Sequence, residues 1–351
     1  MPVTEFISSA LDRRSFLMMA AAAAGSPLLA GCGDSGAAGS GGGKKTTFLS
    51  YLPLETLSLA PELLAVAGGH FAKHGLDVKL QPVKGSPQAM QTLLAGISPI
   101  TRVGQIDVMT AVADTDQPLV NIGTLSRGSS LRFVYSKKRH PLVKPQDLVG
   151  QTMGVPSEGG TSDKVVSLVL AGAGLDPKQT RRQVVGLTPG TFNLVEQGRI
   201  VGYVVSVDTA NLLTSKNPDV GLFDPGKYVK SDQQVYVTTK DAAKKDAQTL
   251  TAFMAGIRDA VAAMVADQSL DETVKKLREE YSFASLDNDK VAKASLTMLR
   301  NSWTGGDPSK PLLVTDKAVW TAGYKELTSA GVAKPGGDAP SWFDNGLLPK
   351  T

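Results

Sequence analysis

Few residues in this chain could carry out chemistry, and their spacing argues for holding a ligand rather than transforming one. Three histidines are present, His70, His74 and His140. His70 and His74 stand four apart and would share a helical face. A zinc protease pair needs Glu directly after the first His, and Phe71 stands there. Gly75 ends the helix at once, so no metal site is expected. There is no Gly-x-Ser-x-Gly elbow, no phosphate loop with its lysine, and no Gly-x-Gly-x-x-Gly after a strand. Catalytic residues and cofactors are therefore expected to be none.

The remaining polar residues suit binding. Pro53 and Leu54 follow a first strand, and Ser86 and Gln88 open a helix. Gln105 follows a third strand. Thr161 and Ser162 open a helix after the Gly159-Gly160 turn, with Ser162 as its N-cap. Thr191 and Phe192 open another helix, and Asp208 follows a strand. Taken singly, each is a ready cap or turn residue. All of them nonetheless fall at strand carboxyl ends or helix amino ends, the edge that faces the cleft of an open α/β sheet. Thr161 and Ser162 are the leading contacts, because a helix start presents free N–H groups. Glu158 and Asp163 beside them weaken any preference for an anion, so the ligand's charge stays open.

The elements that position these residues read as alternating strands and helices. Strands are expected at Thr47 to Tyr51, Leu76 to Leu80, Ile100 to Val103, Pro118 to Gly123, Leu131 to Ser136, Gln151 to Val155 and Gln183 to Val185. Tyr203 to Val207, Gly221 to Phe223 and a return strand at Val235 to Thr239 complete the set. After it come helices only, the longest at Ala247 to Asp267 with a sustained apolar stripe. Strand–helix–strand order implies parallel sheets.

A chain of 351 residues with 42% hydrophobic and 20% charged residues is long enough for two domains and a sizeable core. A net charge of +4 with scattered basic residues excludes a nucleic-acid partner. Residues 1–31 read as an export signal: Arg13-Arg14 precede a short apolar run, resembling a twin-arginine signal, with the general secretory route also open. Leu29-Ala-Gly-Cys32 resembles a bacterial lipobox, and Cys32 is the only cysteine. Cys32 is expected to carry a lipid anchor, and residues 32–45, rich in Gly and Ser, to form a flexible tether.

In the body, the run Ala60 to Lys79 (APELLAVAGGHFAKHGLDVK), Leu93-Leu-Ala-Gly96, Asp147 to Val155 (DLVGQTMGV), Gly174-Leu-Asp-Pro177 and Glu196-Gln-Gly-Arg-Ile200 occur in order. This ordered set resembles the nitrate/sulfonate/taurine-type substrate-binding proteins of ABC importers, the thiamine-precursor-synthesis-like family. The resemblance implies a two-lobed, periplasmic-binding-protein-like α/β fold of type II. Its sheets would be mixed, mostly parallel and flanked by helices, with a hinge of two crossings. Lobe one would be 46–131 plus 237–351, and lobe two 132–236. It further implies a monomeric, lipid-anchored receptor outside the cytoplasm that captures a small organic solute by hinge closure. The solute would be a sulfonate, a thiamine-precursor-like molecule or another heterocycle, and the partner an ABC permease with its ATPase. A tethered sensor of the same fold without a transporter is the alternative. The chain departs from the family at Gly96-Ile-Ser-Pro99, Gly198-Arg-Ile-Val-Gly202 and Asp208-Thr209, so sulfonate or nitrate specificity does not transfer.

Overall fold

The computed structural model describes residues 43–350. The export signal, Cys32 and most of the tether lie outside the described residues. Lys44 and Lys45, which composition assigns to the tether, belong instead to the first strand, where they pair with Leu76 and Asp77.

Ten strands form two five-stranded sheets among the described residues. The first holds β1 (Lys44–Ser50), β2 (Leu76–Pro82), β3 (Ile100–Gly104) and β4 (Leu119–Thr124). The second holds β5 (Leu131–Ser136), β6 (Thr152–Val155), β7 (Arg181–Val184), β8 (Gly202–Ser206) and β9 (Val220–Phe223). The chain then returns, and β10 (Gln234–Thr239) enters the first sheet. The orders are β2-β1-β3-β10-β4 and β7-β6-β8-β5-β9. The two sheets thus share one plan. In each, the second, first and third strands lie side by side, and a reversed strand separates the third from the fourth. The reversed strands are those that adjoin the crossings: β5 runs antiparallel to β8 and β9, and β10 to β3 and β4. The other pairings are parallel, as alternating strands and helices require. The expected boundary at residue 236 shifts accordingly, because β10 already pairs in the first sheet from Gln234.

Packing follows from helix amphipathicity. The helix Ala247–Ala266 sets Phe253, Met254, Ile257 and Val261 against the first sheet. Its Phe253 stacks on Phe48 and Phe71 at centroid distances of 5.5 and 4.8 Å. A second core spans both halves, joining Val103, Ile106 and Met109 to Val165, Val166 and Val169. Burying each such aliphatic side chain contributes about 1.5–3 kcal/mol. A third core, with Val134, Phe192, Tyr203 and Leu213, lies behind the second sheet.

Candidate functional site

The carboxyl ends of β1, β2, β6, β7 and β8 meet between the sheets, and the reversed strands β5 and β10 begin at the same place. Residues there enclose a cavity of about 30 Å³, room for on the order of two waters. The first sheet's half supplies Tyr51, Leu52, Ser58 and Ser86, and the second half supplies Ser157, Thr161, Ser162, Leu187 and Ser206. Ser130, Leu131 and Gln234 close it from the crossings. A wider depression of about 1100 Å³ lies at the opposite ends of the first sheet's strands, against Lys44, Lys79 and Asp246. Ligands of open α/β folds bind at strand carboxyl ends, which favours the smaller cavity.

Two buried carboxylates flank that cavity and bind the halves together. Asp107 lies in the helix Gln105–Thr115 after β3, and is wholly buried. It accepts from the Thr161 amide at 3.1 Å and the Thr161 hydroxyl at 2.6 Å, and pairs with Lys164 Nζ at 3.0 Å. Asp208 lies in the helix Val207–Lys216 after β8, and is also buried. It accepts from the Thr56 hydroxyl at 2.9 Å, the Leu57 amide at 3.1 Å, Ser285 Oγ at 2.8 Å and Ser206 Oγ at 2.6 Å. Each acid therefore sits after the third strand of one half and satisfies donors after the first strand of the other. Gly104 permits the first of these contacts. A Cβ at that position would stand 2.1 Å from Thr161 Oγ1.

A second polar layer backs the cavity. The Arg102–Glu62 ion pair, 3.1 Å apart, is fully buried, and Tyr236 donates to Glu62 at 2.8 Å. Arg102 also donates to the Ser58 carbonyl at 2.7 Å. Tyr51 donates to Gln234 Oε1 at 2.6 Å, and burial raises its pKa. At the crossings, Ser129 donates to Asp232 Oδ2 at 2.5 Å. Burial pushes the Asp232 carboxyl up to about 6, and Asp107 and Glu326 add to the rise.

Of the residues singled out in the sequence, Ser86, Thr161 and Ser162 line the cavity. The helix Thr161–Ala171 starts two residues earlier than expected: Gly160, not Ser162, is the N-cap, and Asp107 does the capping that Ser162 was expected to do. Gly159 takes a left-handed φ of 68°, whereas Gly160 is extended at −84°. Asp163 is engaged with the Gly159 amide and Arg182. Pro53 is exposed, and Leu54 packs against the first core. Gln88 accepts from the Lys84 amide at 2.6 Å on the surface. Gln105 is buried against Gly323 and Met109. Thr191 bonds the Gly186 carbonyl, and Phe192 belongs to the third core. Asp208 is held in its clasp. Tyr51, Ser58, Ser206 and Gln234 escaped the sequence reading. Ser206 was legible as the last residue of its strand, but Tyr51 and Gln234 meet only through the reversed strand.

Known proteins resemble this chain in sequence or in fold. The formylaminopyrimidine-binding protein of Halalkalibacterium halodurans is 25% identical over 265 residues, 73% of this chain and 77% of its own length. A solved protein of Bordetella bronchiseptica RB50 superposes with a TM-score of 0.71 at 19% identity, covering 86% of this chain and 95% of its own. The alkanesulfonate-binding protein SsuA from Xanthomonas axonopodis pv. citri, bound to MOPS, gives 0.67 at 13% identity, over 86% and 98% of the two chains. The model of the NMT1/THI5-like family matches residues 57–269, more than half of the chain, and the chain belongs to that family.

Proposed function

We propose that this protein is the extracytoplasmic substrate-binding component of an ABC importer, capturing a small organic solute between two lobes that close about the two crossings. The observation that carries the reading is the cavity itself. Both halves supply its walls, so a bound solute would bridge them and favour the closed arrangement. Family membership and the formylaminopyrimidine-binding relative support it. A sulfonate, a thiamine-precursor-like molecule or another heterocycle is the proposed cargo, and a permease with its ATPase the proposed partner. Ser86, Thr161 and Ser162 are the proposed contacts among those read from sequence. Cys32 would tether the receptor to the membrane through a lipid, keeping captured solute near its permease.

A thermal-shift screen of the full-length protein against such solutes tests the reading. A true ligand at 100 times its Kd adds about 2.7 kcal/mol of stability. A folded protein that responds to no member of the panel speaks against a solute receptor. Cys32→Ser should move the protein from the membrane fraction to the soluble fraction, and unchanged fractionation refutes the anchor.

A further inference from the structure

We propose that the wide depression at the amino ends of the first sheet is a docking face for an anionic lipid bilayer, on which the tethered protein rests with its cleft turned outward. This goes beyond the receptor reading and rests on the lipid anchor proposed at Cys32. The depression is lined by Lys44 to Thr47 at the start of β1, by residues 93–99 ahead of β3, and by the helix Lys240–Lys245 that follows β10. Because β10 runs antiparallel to β3, its end lies beside the starts of the other strands. Lys44, Lys45, Lys79 and Lys245 line the depression, and the same helix carries Lys240 and Lys244. All six lysines are exposed. Among the described residues only Lys44 of the six is in an ion pair, with Asp246 at 3.8 Å. Asp77, Asp241 and Asp246 are the acids lining it, so the face is positive by three charges.

Exposed lysines alone are ordinary solvated surface. Two further observations select a bilayer. Ile97 is 68% exposed and stands in the same depression, just after Gly96 at a left-handed φ of 72°. An aliphatic side chain ringed by lysines suits a lipid interface, where the aliphatic enters the acyl boundary and the ammonium groups stay among the headgroups. The second observation is where the chain leaves this face. Residues 33–42, ten in all, separate Cys32 from Gly43, and β1 starts at Lys44. Ten residues reach at most about 35 Å, and a Gly/Ser-rich coil of that length spans about 16–19 Å. A lipid on Cys32 therefore holds this end of the first sheet near the headgroups. The tether makes a weak attraction intramolecular. Each lysine brought to an anionic surface favours contact roughly fivefold. In this posture the strand carboxyl ends, and the cavity with them, point away from the bilayer and stay open to solute.

Lysine labelling of the full-length lipidated protein on vesicles tests this. The vesicles are phosphatidylcholine alone or phosphatidylcholine with an equal part of phosphatidylglycerol, and the reagent is a membrane-impermeant sulfosuccinimidyl ester read by peptide mass spectrometry. Labelling of Lys45 and Lys240 should fall at least about threefold on the phosphatidylglycerol vesicles. Lys178 and Lys216, exposed on the second half, should label equally on both. About 1 M salt should restore Lys45 and Lys240. Lys79→Glu with Lys245→Glu should abolish their protection and leave the melting temperature unchanged, because both side chains are exposed. Equal labelling on the two vesicles, by protein that floats with both, leaves the anchor standing and overturns the docking face. Protection on phosphatidylcholine that the double variant retains reflects tethering alone and overturns the assignment to anionic lipid. Protein that floats with neither vesicle refutes the anchor and this proposal together, whereas the thermal-shift screen decides solute binding separately.

Discussion

Asp107 and Asp208 occupy matching places in the two halves, each just inside the helix after its sheet's third strand, each reaching donors after the first strand of the other half. Their surroundings differ. Asp208 receives four neutral donors and no cation among its bonded partners. Asp107 receives two donors from Thr161 and shares its charge with Lys164, whose side chain is 21% exposed. A buried carboxylate held by neutral dipoles alone depends on every one of them. One with a half-wet cation beside it has a partner that can return to solvent. The lesson is that a shared topology fixes where a clasp can form, while side chains decide how much each half relies on it.

The largest expected effect breaks the neutral clasp. Asp208→Ala strands the Thr56, Ser206 and Ser285 hydroxyls and the Leu57 amide, and should cost about 3–5 kcal/mol in denaturant unfolding. A loss under 1 kcal/mol would show that water replaces the carboxylate freely.

Asp232, on the crossing between the clasps, gives the next effect. Its pKa rises from 3.8 to about 6, chiefly through burial. Between those values the folded chain keeps a proton that the unfolded chain has released. This contribution is therefore fully present below pH 3.8 and is lost as pH rises through 6. Asp232→Asn removes the titration and still accepts from Ser129. Relative to wild type, stability at pH 7.5 should rise by on the order of 2–3 kcal/mol, with little difference at pH 3.5. A wild-type-like pH profile in the variant places the titration elsewhere.

Asp107→Ala should cost about 2 kcal/mol, less than Asp208→Ala, because Lys164 can rehydrate once its partner is gone. Equal losses at the two sites would erase the distinction between the clasps. Lys164→Met should cost under about 1 kcal/mol, and the difference from wild type should shrink as salt is added.

The contrast between clasps also explains what could be read in advance. Strands and helices were legible because periodicity and Gly/Pro punctuation are local signals: the strand expected at Ile100 to Val103 spans Ile100–Gly104, and the strand expected at Tyr203 to Val207 spans Gly202–Ser206. Thr161 was singled out because it opens a helix, and it does line the cavity. Its capping partner could not be seen, since Asp107 lies 54 positions earlier in the other half. Asp208 was read as facing a ligand for the same local reason. Three of its four donors come from 151 and 152 positions upstream and 77 downstream. A strand-end position says which edge a residue occupies, but whether a ligand or a distant helix meets it depends on how the halves pack.

The placement of β10 carries a consequence for how the chain is made. Among the described residues β4 has β10 as its only strand partner, and β10 also completes β3. The second sheet is contiguous, from Leu131 to Phe223, whereas the first waits for Gln234 to emerge before its middle can close. During synthesis the second sheet can assemble while the first still shows an open gap between two unpaired strand edges. A nascent chain arrested before β10 would therefore present one finished half and one half with exposed edges. Vulnerability to proteases and to aggregation should fall abruptly once the return strand is threaded in.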